Sequence, residues 1–537
     1  MPRTRTDLSV ARYDLLVVGG GIHGLFAAYD AATRGLSVAL VDQDDFGSGL
    51  SFNHQRTIHG GLRALEHAHL GKARQQIHER RTWARIAPHM VRPLPFLVGT
   101  YRFSKRSRWL VRAGFATYDA IGRSRNRGVA PELHLPKSRL ESAAATKRLF
   151  PGINEKGLSG GAIWYDYQTR HPDRLNWTVA MAAEQAGAVL GNYLQVIGPL
   201  KDGGRVAGAR VRDLVTTREW DLQASVTLLA AGSGLSALQA AFGATGAPSL
   251  VRAINVLLDR PARDIAVAAP SRSGRMLTAV PWRGYVLVGT YQSRDLVTGP
   301  ENAPPDGVID EFLTDLNSAF PRLQATRADV RMTHHGLTPA VVRGGRADLM
   351  PEPVVLRHPE VGSGLLSLVG VKFTTARLAA EGAVDAVCHA LGRSRAGSKT
   401  ASTVLPHAGI ADSEGRLVEL ERSLGAPLER DVLEHLTSWY NTEGPAVLQH
   451  AADEGGLGRL AAGTPVLAGE VSYAAQHSRA LRLSDVVFRR TPLGSAGHPG
   501  EEALARAADI LTRVHGWSDA RRLEELGLVE REYARRR

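Results

Sequence analysis

Residues 13–42 read YDLLVVGGGIHGLFAAYDAATRGLSVALVD, and this stretch decides the fold. Tyr13 to Val18 is apolar enough for a short buried strand, the alanine-rich run to about Arg34 is a helix, and Ser37 to Val41 is a second strand. Between the first strand and the helix stands Gly19-Gly20-Gly21-Ile22-His23-Gly24, and Asp42 closes the second strand 18 residues after Gly24. In such a βαβ unit Gly19 permits the tight turn, Gly21 lets the backbone approach a pyrophosphate, and Gly24 lets the helix pack closely on the strand. The helix N-terminus favours the phosphate charge, and Asp42 is placed to accept hydrogen bonds from ribose hydroxyls. A glycine turn alone is a weak signal; strand, helix and terminal acid together specify a dinucleotide site.

Working outward, Leu228-Leu229-Ala230-Ala231-Gly232 and Gly370-Val371-Lys372-Phe373-Thr374-Thr375 are two further strand-to-turn elements. Their resemblance to flavin contacts in large FAD folds favours FAD over NAD. Helical period returns over Pro172 to Gly187, and strands are expected at Ala188 to Val196, Arg205 to Asp213, Ser225 to Ala230 and Leu365 to Val369. Alternating segments at Ala253 to Leu258, Met276 to Val280 and Tyr285 to Gly289 indicate an antiparallel sheet. The expected fold is therefore α/β: a Rossmann-type FAD domain interleaved with an antiparallel-sheet substrate domain, then a helical C-terminal domain. FAD-binding segments fall at about 13–66, 172–247 and 360–390, and substrate-domain segments at about 67–171 and 248–359. The Ser/Gly/Thr-rich stretch Gly392 to Gly409 is the linker, with a boundary near Ser398 and residues 399–537 helical.

At 537 residues the chain is too long for one ordinary core. Its formal charge of +13 suits an anionic substrate, an anionic membrane surface or an arginine-rich background. The charge is spread along the chain with no helix-turn-helix, zinc-finger or RNA-reading motif, so nucleic acid is not an expected partner. Cys388 is the only cysteine, which excludes an intramolecular disulfide, a thiolate metal cluster and a CxxC pair, and no metal site is expected. A reducing cytoplasm fits best. The opening residues MPRTRTDLSVARYD lack a secretory pattern, and the uncharged run Ala224 to Val251 holds too many Gly, Ser and Gln residues for a membrane span. The basic segment RFSKRSRWLVRAG, Arg102 to Gly114, reads either as an amphipathic face for anionic lipid or as a solvated helix with a buried tryptophan.

Ile58-His59-Gly60-Gly61-Leu62-Arg63-Ala64-Leu65-Glu66 adds a more specific signature. Together with Ala87-Pro88-His89, Pro281-Trp282, Gly289-Thr290, the GVKFTT turn and Leu483 to Thr491 (LSDVVFRRT), it resembles the FAD-dependent glycerol-3-phosphate dehydrogenase family from about Tyr13 to Leu493. The resemblance implies oxidation of a secondary alcohol by hydride transfer to flavin N5, with electrons passing to a quinone or to dioxygen. Family members that use quinone sit on the membrane surface, so a cytoplasmic protein peripheral to the inner face of the membrane is expected; a homodimer is a candidate assembly. On the same basis His59, Gly60, Val196, Gly232, Gly370, Lys372 and Thr375 join Gly19, Gly21, Gly24 and Asp42 as cofactor contacts. Arg63 matches a substrate-site arginine, and Lys372 a lysine that steadies the anion of reduced flavin.

The chain departs from that pattern at two substrate positions. The family's Lys-Gly-Ser-His, whose histidine is a candidate base, here reads Arg252-Ala253-Ile254-Asn255. Its Gly-Val-Arg-Pro, whose arginine grips the substrate phosphate, reads Gly336-Leu337-Thr338-Pro339. A threonine offers one neutral hydrogen bond in place of a bidentate charged clamp. His335 is the expected replacement base, with His334, Thr338 and Arg357 as substrate contacts and Arg343 or Arg346 as further anion grips. His54 stands where the family prefers small serines, as a hydrogen-bonding neighbour or a point of covalent flavin attachment. The expected substrate is a small hydroxylated anion, phosphorylated or acidic. The alternatives are an amine substrate and a non-catalytic flavin-binding or membrane-docking protein.

Overall fold

The computed structural model describes residue 8 and residues 12–65, 69–102, 107–297, 303–344, 346–394, 396–425 and 427–536. Glu66 of the IHGGLRALE motif and Phe103, Lys105 and Arg106 of the basic segment lie outside the described residues, as do the side chains of Arg63 and Arg346.

The strands Tyr13–Val18 and Val38–Val41 pair in parallel across the helix Ile22–Thr33, as the opening stretch predicts. Both strands are almost wholly buried, because helices cover each face of a parallel sheet. The sheet runs Val354–Arg357, Leu365–Val369, Glu219–Leu229, Tyr13–Val18, Val38–Val41, Val189–Gly191. Along this path all neighbours are parallel except the edge strand Val354–Arg357; off it, Leu194–Asp202 and Arg205–Asp213 form a hairpin that joins the first half of Glu219–Leu229 antiparallel. The helices Ile22–Thr33, Pro172–Gln185 and Ala376–Ala390 bury alanine-rich faces against it.

A second sheet, of ten strands, is antiparallel apart from the pairing of Ala266–Pro270 with Val91–Tyr101. Its centre is the pair Ser249–Pro261 and Val330–Arg343. One face of this sheet packs on the helix Asp306–Ala319 through Ile254, Val256 and Phe312. The other meets the C-terminal helices through Leu257, Met332, Phe488 and Leu504. The changeovers between sheets fall slightly away from the segments expected from sequence. Thr57–Ile58 already belongs to the substrate sheet, where it pairs with Tyr167 and Gln168. Val354–Arg357 belongs to the parallel sheet. Both strands are short and carry no periodicity that betrays their partner.

The C-terminal region is helical, with Arg430–Tyr440, Gly444–Asp453, Ala468–His477, Glu501–His515 and Asp519–Arg535 as its main elements. A π-turn, Val486–Arg490, fastens it to the flavin domain. Asp45, fully buried, takes Arg489 Nε at 2.5 Å and Arg490 at 2.6 and 2.9 Å, and Tyr193 donates to Asp485 at 2.5 Å. The LSDVVFRRT motif is thus a docking clasp: burial tends to raise the Asp45 carboxyl, but two guanidinium groups hold it below its ordinary range.

Candidate active site

The glycine turn is shaped by steric necessity. Gly19 has φ of +112°, and a Cβ there would lie 2.6 Å from the Ala230 carbonyl oxygen. A Cβ on Gly24 would lie 1.8 Å from the Gly19 oxygen, so only glycine lets the helix approach the strand this closely. Ser51 Oγ accepts the first helical amide, that of Ile22, at 2.9 Å, beside Gly21. Asp42 accepts the Gly20 amide at 2.5 Å and the Asp44 amide at 2.8 Å. Burial nevertheless pushes its carboxyl up to about 7. A buried carboxylate in that condition is stabilised by further donors, which ribose hydroxyls supply.

The other expected cofactor elements converge on this turn. Ala230 donates to Val18 at 2.8 Å and leads into Gly232, whose φ is +56°. Leu194, two residues before Val196, donates to the Asp42 carbonyl at 2.7 Å. A Cβ on Gly370 would meet the His23 ring at 2.5 Å, so the last flavin turn abuts the first. Phe373 stacks on His54 at 4.3 Å and on Trp83 at 5.4 Å, and Thr374 Oγ1 accepts the His59 amide at 3.0 Å. Gly60 donates to Asp166 at 2.7 Å, and a Cβ there would strike Arg80 and Tyr118. Lys372 is exposed on its turn, and Thr375 immediately precedes the helix Ala376–Ala390.

These residues fit FAD. Three buried polar atoms around the cradle, His23 Nε2, His54 Nε2 and Arg56 Nε, have no hydrogen-bond partner among the described residues, which argues for a polar cofactor as their neighbour. Burial lowers His23 to about 4 and His54 well below its ordinary range, so both rings are neutral at pH 7. When bound, FAD supplies the hydride acceptor, and the chain's own residues supply binding and orientation.

On the substrate side, register places Asn255 opposite His334, Val251 opposite Thr338 and Ile254 opposite His335. Strand alternation then puts Asn255, His334, Gly336 and Thr338 on one face. A Cβ on Gly336 would touch Leu50 of the flavin loop. Asn255 Oδ1 accepts from Thr290 at 2.8 Å. His334 is fully buried, 3.2 Å from Asn53 Oδ1, 3.3 Å from the Arg56 guanidinium, and edge-on to Trp282 and Phe52. Burial and the charges of Arg56 and Arg536 hold it well below its ordinary range.

Two expectations are corrected here. His335 lies on the opposite face, across from Ile254 and beside Thr333, because a one-residue step along a strand reverses the side chain. Arg357 sits on the edge strand of the parallel sheet, opposite Leu366 near the start of Leu365–Val369, whereas the cofactor turn follows that strand's other end. Sequence reasoning also missed Arg56, Asn53 and Arg536. Arg56 is fully buried, donates to the Phe52 carbonyl and lies 4.4 Å above Trp282; burial lowers it to about 9. Arg536 donates to Asn53 at 2.9 Å from the far end of the chain. The SFNHQR stretch carried the signal for the first two; nothing local marks the third.

Comparison with known proteins accords with this geometry. Residues 14–401 match the family model for FAD dependent oxidoreductases, and residues 375–522 match the C-terminal domain of alpha-glycerophosphate oxidase. The chain belongs to the FAD-dependent oxidoreductases. Within them it is a member of the glycerol-3-phosphate dehydrogenase family. It is 30% identical to the glycerol-3-phosphate dehydrogenase of Synechocystis sp. over 96% of this chain and 95% of that one. It is 31% identical to glycerol-3-phosphate dehydrogenase 2 of Mycobacterium tuberculosis over 96% of this chain and 86% of the relative. The glycerol-3-phosphate dehydrogenase structure from Bacillus halodurans, complexed with FAD, shares the fold at a TM-score of 0.75 and 24% identity, covering 99% of this chain and 96% of that one. The amine-oxidising and non-catalytic alternatives are not favoured by these relatives.

Proposed function

We propose that the chain oxidises a small hydroxylated, anionic compound, phosphorylated or acidic, related to glycerol 3-phosphate but distinguished from it by the Asn255 and Thr338 positions. The observation that carries the reading is the contrast between an intact cofactor cradle and a strand pair on which an amide faces His334. Arg63 and Lys372 serve the substrate and the reduced cofactor, respectively. His334 is the proton acceptor of this reading in place of His335, because its ring shares the Asn255 face. Thr338 contributes a hydroxyl where the family has its clamp. Electrons leave to a quinone or dioxygen, from a cytoplasmic protein peripheral to the inner face of the membrane. Among the described residues no helix is long and apolar enough to cross a membrane.

The test is anaerobic bleaching of bound flavin against glycerol 3-phosphate, polyol phosphates, sugar acids and amines. Bleaching by a phosphate or acid other than glycerol 3-phosphate is the expected result. Bleaching by amines alone would overturn the reading. With a bleaching substrate in hand, His334→Gln should slow reduction by about 100-fold, whereas His335→Gln leaves the rate near that of the wild type.

A further inference from the structure

The basic helix Arg108–Ile121 stays at the surface, with Trp109 77% exposed, which corrects the expectation of a buried tryptophan there. Arg536, one residue beyond the last helix, is instead drawn inside, at 5% exposure. Its backbone carbonyl accepts the Thr333 amide at 2.5 Å, which ties the end of that helix to the strand Val330–Arg343 beside His334. Its guanidinium lies 5.2 Å from the Phe52 ring and 5.5 Å from the Phe488 ring. Glu532 takes Nε at 2.8 Å and Nη2 at 2.6 Å, so the fork is held in one orientation. Nη1 is left directed at Asn53 Oδ1, 2.9 Å away.

The same oxygen, Asn53 Oδ1, lies 3.2 Å from Nδ1 of His334. Donor and acceptor character then propagate along the row. An arginine can only donate, so the side-chain atom of Asn53 that faces it is the carbonyl oxygen and not the amide nitrogen. That oxygen can only accept, so Nδ1 of His334 carries a proton. Burial, the cations of Arg56, Arg536 and Arg283, and the neighbouring His335 keep the ring uncharged, and an uncharged imidazole has a single N–H. Nε2 is therefore left with the lone pair. Arg56 does not claim it. Its Nη2 lies 3.3 Å from Nδ1 and 3.4 Å from Nε2, and an in-plane position that close to both would collide with the carbon between them, so the guanidinium sits over the ring face. Asn255 Nδ2, 3.4 Å from the carbonyl oxygens of both Asn53 and His334, bears on the backbone of the row rather than on the ring.

We propose that Arg536 is a positioning residue: through Asn53 it fixes His334 in the tautomer with the proton on Nδ1 and the lone pair on Nε2, so that Nε2 is the atom that takes the substrate's hydroxyl proton. Which ring nitrogen of a histidine is protonated is set by the hydrogen bond that the other one makes. In a catalytic triad a third group holds the histidine in its working tautomer in this way. Here the third group is an amide, and its own orientation is locked by a guanidinium 483 positions away in sequence. This role rests on the reading of His334 as proton acceptor, but the tautomer is observed without substrate, so the two stand or fall separately.

FAD-loaded protein labelled with nitrogen-15 histidine is read by long-range proton–nitrogen NMR correlations near pH 7, with His334→Gln identifying the signals of this ring. One neutral tautomer, protonated at Nδ1, is expected. Arg536→Met frees the Asn53 amide to rotate and should raise the share of the tautomer protonated at Nε2 by about 10-fold or more. Arg536→Lys keeps a donor and should restore the wild-type spectrum, and flavin absorbance checks that both variants hold FAD. A wild-type ring protonated at Nε2, or charged, would overturn the proposal whatever the variants do. So would an Arg536→Met protein that holds FAD and keeps the wild-type tautomer. The expected spectrum in a protein whose flavin reduction is indifferent to His334→Gln would fault the choice of base, and with it the role of Arg536, while leaving the tautomer assigned.

Discussion

The cofactor turn and the substrate strand pair are both built from backbone that passes close to other backbone, yet they tolerate change very differently. Around the turn, a single added methyl at Gly24 or Gly19 would collide with main-chain oxygen, which no rotamer change can relieve. On the strand pair, Asn255 and Thr338 share one face of an unbroken pairing with Val330–Arg343, while the pairing of Ser249–Pro261 with Tyr285–Val297 shifts register on both sides of Asn255. Backbone geometry therefore constrains the cofactor turn, whereas on the proposed reading side chains projecting from the strand pair set what is oxidised. On the reading proposed above, the cofactor half of the family's pattern is kept and the substrate half is altered at these two positions.

Gly24→Val is the most severe way to probe that contrast. The side chain meets the Gly19 carbonyl at a distance no Cβ tolerates, so the helix must move off the strand. The expected result is colourless protein, destabilised by about 3 kcal/mol or more, read from flavin absorbance and thermal unfolding. A variant that keeps its flavin would show that this turn does not carry the cofactor.

Asp45→Asn comes next, because it tests whether the clasp to the helical domain belongs with the rigid half. The substitution leaves Arg489 and Arg490 facing a neutral amide in a fully buried site. Breaking such a pair costs about 3 kcal/mol. The sign with pH follows from the depressed carboxyl: its contribution is complete above the ordinary carboxylate pKa and is lost as pH falls through the folded value. The difference between wild type and variant should shrink in acid.

These two sites also show what the sequence discloses. The turn is legible because its constraints are local: strand, glycines, helix and acid lie within thirty residues, each with one physical task. The clasp is legible only as a motif, since the partner of Arg489 and Arg490 is Asp45, some 440 positions away. Sequence position favours His335 as the base because it adjoins Gly336, yet nothing in the sequence tells which of His334 and His335 projects toward the site. Only the register with Asn255 and Ile254 assigns one ring to each face. Arg536 reaches Asn53 through tertiary packing alone and has no sequence signature.

A third experiment sharpens the comparison by attempting to reverse it. If the strand pair determines only substrate choice, Asn255→His combined with Thr338→Arg should raise the rate of flavin reduction by glycerol 3-phosphate by about 10-fold or more, with the flavin spectrum unchanged. Both side chains stand on the same face of the pairing with Val330–Arg343, although Asn255 is buried and the pairing of its strand with Tyr285–Val297 shifts register around it, so thermal unfolding of the variants is read alongside the rate. Gain from the double variant without gain from either single one would show that base and clamp act together.

The smallest effect distinguishes the halves by proton linkage. Burial lowers His23 from 6.5 to about 4, so in the native state the ring stays neutral while the unfolded chain takes up a proton below pH 6.5. Stability from this group is therefore complete above about pH 6.5 and declines as pH falls toward 4. Asp42 acts in the opposite direction: its carboxyl is raised from 3.8 to about 7, so it loses stability as pH rises across much of the same window. The two partly cancel in the wild-type apoprotein, and His23→Asn should expose the carboxyl by making stability rise more steeply as pH falls from 6.5 to 4. Urea midpoints of both proteins across that range provide the check. Parallel curves would mean that the His23 ring is already charged in the fold, and that the turn is more open to water than its packing against Gly370 requires.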